Sequence, residues 1–89
     1  MSVEQALQQP SGLWRLLVTA EADPGAIARV LERFQNLNVL PRRVMAECGV
    51  TGVLYIQVDV AGVAVDCLSL IAAKLGQCPS ILAASWHPV

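Results

Sequence analysis

Few residues in this chain have the chemistry to act on a substrate. His87 is the only histidine, it stands next to the last proline, and no serine or carboxylate lies at a spacing from it that suggests a catalytic triad. Cys48, Cys67 and Cys78 make an odd count without CxxC spacing. With His87 they run at intervals of 19, 11 and 9 residues, which match no compact zinc pattern. They read as free thiols in a reducing compartment, packed as small core residues, and neither a metal nor a cofactor is expected. Arg42 and Arg43 form a basic pair beside Pro41. They suit an anion or an acidic patch on a partner, and equally an edge strand guarded by charge.

The most informative cluster is Asp23-Pro24-Gly25. Asp23 can accept a hydrogen bond from the first N–H groups of a helix, and Pro24 suits the first helical position. Gly25 is poor for helix propagation, yet it lets a ligand approach the positively polarised helix end, where a carboxylate would be attracted. The same three residues also read simply as cap, first-turn proline and turn glycine.

The elements that must position this cluster follow from periodicity. Residues 1–12, MSVEQALQQPSG, have no sustained amphipathic period and read as a flexible tail, leaving residues 13–89 as a single domain. LWRLLVTA, residues 13–20, alternates with a period of two, as a strand does. The period then changes: Ile27, Val30, Leu31, Phe34 and Leu37 fall at helical spacing. Residues 39–48 read as a second strand with Pro41 on an edge or at a bulge. After a turn marked by Gly49 and Gly52, Leu54, Ile56, Val58 and Val60 share one side of a third strand. A second helix over 63–75 places Ala64, Cys67, Leu68, Ile71 and Leu75 on one stripe, Gly76 closes it, and SILAASW forms the last strand.

The order β-α-β-β-α-β predicts an α+β, ferredoxin-like sandwich, a four-stranded antiparallel sheet with both helices on one face. The other face would be bare, carrying Leu13 or Leu17, Val53, Tyr55 and alanines of the last strand, too apolar for water. Composition agrees, since 55% of the residues are apolar and 15% charged in a chain of 89, more apolar surface than one small core absorbs. A homodimer or higher oligomer is expected, through the bare face or by edge-to-edge strand pairing. A formal net charge of −1 with dispersed basic residues argues against nucleic acid and anionic membranes. With no apolar run near the ~20 residues of a spanning helix, a cytoplasmic protein is expected.

At DPGAIARVLERFQNLNVLPRRVMAE the chain resembles an ACT domain, a small regulatory module, and the resemblance covers roughly residues 13–87. Within that family, PGAIARVLERF followed by Asn38-Val39 is similar to the short regulatory subunits of acetolactate synthase. The resemblance implies a non-catalytic dimer that holds a small amino acid between two domains and regulates a catalytic large subunit. The positions that match the ligand loop are Ala22, Asp23, Pro24, Gly25, Ala26 and Ile27, faced by Asn38, Val39 and Leu40. Valine-sensing subunits usually carry an Asn three positions before the glycine, where this chain has Ala22, so one polar contact is missing. A ligand-free assembly module that organises a partner enzyme is the other expected role.

Overall fold

The computed structural model describes residues 12–89. Residues 1–11 of the segment read as a tail lie outside that range. Strands β1 (Leu13–Glu21), β2 (Arg43–Cys48), β3 (Val53–Ala61) and β4 (Ile81–Pro88) form one antiparallel sheet in the order β2-β3-β1-β4. Helix α1 (Ala26–Asn36) links β1 to β2, and α2 (Val65–Gly76) links β3 to β4. This is the ferredoxin-like arrangement that the element order predicts.

Alternation on the central strands decides what is buried. Leu16, Val18 and Ala20 of β1 and Leu54, Ile56, Val58 and Val60 of β3 turn to the helix-covered face and form the floor of the core. Ala26, Val30 and Phe34 of α1 and Leu68, Ile71 and Leu75 of α2 close over them. Phe34 meets the Trp86 ring edge to face, with centroids 6.1 Å apart, and Trp86 Nε1–H donates to the Leu68 carbonyl at 2.8 Å, tying β4 to α2.

Four local expectations change. The second strand begins at Arg43, not residue 39, because the chain first turns at Asn38 and passes Pro41. The core stripe of α1 is centred on Ala26, Val30 and Phe34, with Ile27, Leu31 and Leu37 half-buried beside it. Cys48 is exposed on the edge strand β2 and is no core residue, whereas Cys67 and Cys78 are half-buried. Ala64 precedes α2 and is exposed, so it contributes nothing to the stripe.

Candidate functional site

In the β1–α1 loop both carboxylate oxygens of Asp23 are engaged within the chain. Asp23 Oδ1 accepts from the Gly25 N–H at 3.1 Å, and the Asp23 carbonyl accepts from the Ala26 N–H at 2.9 Å. The expected cap is corrected: regular helix begins at Ala26, Gly25 holds the cap position with no side chain capping it, and Asp23 instead closes the turn just before the helix. Its other carboxylate oxygen pairs with the Arg29 guanidinium one turn into α1. That hydrogen bond, with the Gly25 N–H adding to it, holds the Asp23 carboxyl below the usual range. Gly25 sits in ordinary helical backbone (φ −80°), so no strain demands a glycine. What a side chain there would meet is Arg29, whose Nη2 lies 3.3 Å from the place of a Cβ. The space over Gly25 is thus covered by a flexible side chain rather than open. Ala22 N–H donates to the Gly52 carbonyl at 3.1 Å and Glu21 N–H to the Ser80 carbonyl at 2.9 Å, which gathers this loop, the β2–β3 turn and the start of β4 at one end of the sheet.

Asn38, Val39 and Leu40 lie at the other end of α1. Asn38 has φ 56°, its N–H donates to the Gln35 carbonyl at 3.0 Å, and the Val39 N–H donates to the Phe34 carbonyl at 2.8 Å. That is the Schellman termination of a helix, with Asn in the left-handed position usually held by glycine. Val39 is half-buried against the core, and Leu40 beyond it is 88% exposed. Leu40, Asn38 and Val44 line a shallow groove with Leu31 and Phe34 of α1. Since α1 spans 11 residues, the two halves of the expected site stand roughly 16 Å apart along it. One chain does not bring them together.

The sheet face away from the helices holds a feature that the sequence pattern did not single out. Arg43, Asp59, Arg15 and His87 stand side by side across β2, β3, β1 and β4. Asp59 is only 3% exposed, and the Arg15 guanidinium grips it with two bonds, Nε to Oδ1 at 2.9 Å and Nη2 to Oδ2 at 3.2 Å. The hydrogen bond from Arg15 lowers the Asp59 pKa against the opposing effect of burial, and Arg43 adds a smaller pull in the same direction. Alternation along β3 puts Asp59 on this face, but a single strand cannot reveal that Arg15 stands opposite it. Next to this row, Leu17, Met45 and Tyr55 are open to solvent, in agreement with the apolar bare face expected from sequence. His87 Nε2 and Ser85 Oγ, both on β4 and exposed, share a 2.8 Å hydrogen bond. Among the described residues no cluster of His, Cys, Asp or Glu could hold a metal ion.

β2 differs from every other strand, since all six of its residues are exposed. It lies at the sheet edge, and Val44, Ala46 and Cys48, although they point to the helix-covered side, stay exposed, only Val44 bordering the groove beside α1.

No family model and no curated protein matches the chain. Solved structures do. The C-terminal domain of the MgtC protein from Mycobacterium tuberculosis is 14% identical with a TM-score of 0.73, over 90% of this chain and 89% of that one. The ACT domain of GTP pyrophosphokinase from Chlorobium tepidum is 12% identical with a TM-score of 0.71, over 85% and 97%. An uncharacterized protein from Thermotoga maritima is 16% identical with a TM-score of 0.70, over 88% and 96%. The chain has the fold of an ACT domain. No helix among the described residues is long and apolar enough to cross a membrane.

Proposed function

We propose that this chain is a regulatory small-molecule-binding domain that works as a homodimer, takes a small amino acid between its two copies, and has no catalytic residues of its own. The reading rests on the ACT-domain fold together with one observation: Ala22–Ile27 and Asn38–Leu40 stand at opposite ends of α1. A two-fold partner reverses the direction of the helix, so that Asp23, Gly25, Ala26 and Ile27 of one copy come level with Asn38, Val39 and Leu40 of the other. In this reading a ligand ammonium group faces the Asp23 carboxylate and the ligand carboxylate faces Arg29, the two groups that neutralise each other in the free chain. The regulated partner is the catalytic subunit of an amino-acid biosynthetic enzyme such as acetolactate synthase.

Thermal unfolding at fixed protein concentration against each of the twenty amino acids tests this. A ligand at a hundred times its Kd adds about 2.7 kcal/mol, which is roughly 10 °C or more in Tm for a domain of this size. One or two amino acids should give that rise, and Gly25→Val, whose side chain displaces Arg29, should cancel it with little change in unliganded Tm. No rise with any amino acid would reject the sensor. It would favour the second reading, a ligand-free assembly module, which the internal pairing of Asp23 with Arg29 and the helix-ending role of Asn38 already support.

A further inference from the structure

Strand register lays out the sheet face away from the helices row by row. Next to the row that begins at Arg43, Met45, Gln57, Leu17 and Ser85 stand side by side from β2 to β4, and Glu47 and Tyr55 begin the row beyond. Apolar side chains lie open here: Leu17 and Met45 are each 43% exposed and Tyr55 51%, and a hollow of about 620 Å³ lies between them and Glu47. Such a patch on a small chain marks a contact surface. At the centre of the first row Arg15 and Asp59 neutralise each other. Arg43 and Glu47 remain, with no ion pair to either among the described residues. These opposite charges stand at two corners of the face, one row to either side of Met45.

The pattern is complementary to itself. A second sheet laid face to face, with a two-fold axis along the row from Met45 to Ser85, puts the row on one side of that axis against the row on the other. Arg43 then meets the partner's Glu47, and symmetry repeats the contact. Leu17 meets the partner's Leu17, and Met45 the partner's Met45. Turning the axis parallel to the strands instead sets Arg43 against the partner's His87 and Leu17 against the partner's Gln57. That leaves both corner charges without an opposite and places apolar groups on polar ones. A partner of uniformly acidic or uniformly basic surface fits one corner and is repelled at the other.

We infer that two copies of the chain pack face to face through the open side of the sheet, with Leu17 and Met45 on the two-fold axis, Arg43 against the partner's Glu47, and the helices outward. Aligned sheets of this kind lie about 10 Å apart. Four strands spaced about 4.8 Å, with the central two of 9 residues, offer roughly 1,100 Å² over both copies. That is close to the least area, about 1,000 Å², on which a specific pair holds, so the association depends on concentration. Neither Ala22–Ile27 nor Asn38–Leu40 lies on this face. The contact is therefore separate from the one that brings the α1 ends together, and a chain using both assembles beyond a dimer.

Sedimentation equilibrium over a concentration series tests the pairing. Leu17 belongs to a central strand, out of reach of any edge contact. Leu17→Glu should halve the assembled mass, its pairing weakened roughly a hundredfold or more, because the axis brings two carboxylates together in an apolar contact. Ser85→Glu, exposed at the β4 end of the same axis, should do the same and serves if circular dichroism shows Leu17→Glu unfolded. Tyr55 is the only tyrosine, so its nitration by tetranitromethane reports on the face. Nitration should slow as the native protein is concentrated and stay fast in Leu17→Glu. An assembled mass unchanged by both substitutions, or a Tyr55 nitrated equally fast at every concentration, overturns the pairing and leaves the amino-acid reading standing. A protein that stays monomeric at all concentrations overturns both.

Discussion

Asn38 separates a ligand contact from a structural necessity, and the two make opposite forecasts for one substitution. The residue lies outside the helical region at φ 56°, and its conformation lets two N–H groups reach the Gln35 and Phe34 carbonyls. Its side chain is exposed and makes no hydrogen bond among the described residues, so its contribution to stability comes from the backbone position. A non-glycine residue in the left-handed region carries a cost of roughly 1–2 kcal/mol, which Asn partly escapes and glycine avoids. Asn38→Gly should therefore match or exceed the native stability. Asn38→Ala should lose about 1 kcal/mol, or about 4–8 °C in Tm for a domain of this size. Urea unfolding followed by circular dichroism at one fixed protein concentration would measure both. If Asn38→Gly proves clearly less stable than the native chain, or Asn38→Ala equally stable, the helix-termination argument is wrong. Repeating the amino-acid screen on Asn38→Gly then isolates the side chain: a retained fold with a lost ligand response assigns the amide to the ligand.

Two further outcomes follow from the core and the open face. Phe34→Ala removes a fully buried ring that meets Trp86 and should cost about 3–5 kcal/mol, enough to leave much of the protein unfolded at 37 °C and visible as loss of near-ultraviolet circular dichroism. Asp59 is held below the ordinary carboxylate range by Arg15, so its contribution is present above that range and is lost as pH falls through the lowered folded pKa. The urea midpoint of the native chain should accordingly drop more steeply between about pH 5 and pH 3 than that of Asp59→Asn, and equal slopes would show that the ion pair is not responsible.

The fold was legible in the sequence because local chemistry and global packing agree. A period of two on residues 13–20 and 53–60, a period near 3.6 between them, and glycines at the turns leave one economical topology. The candidate site was legible only in part. The turn that Asp23 closes before α1 can be read from its neighbours, because it is a contact between residues two apart, although the cap position itself falls to Gly25. Other features depend on residues distant in the chain. Arg15 and Asp59 are 44 positions apart and meet only because β1 pairs with β3 in one register. Arg29 over Gly25 is set by the helix turn and the Asp23 carboxylate together, and nothing in Asp-Pro-Gly announces it. The exposure of β2 on both faces follows from its place at the edge, where α1 only borders Val44, and strand pairing alone decides that place. Sequence thus determined the elements and their order, since these depend on neighbours a few residues apart. Tertiary structure decided which charges are buried, which edge is open, and that the two halves of the candidate site lie at opposite ends of one helix.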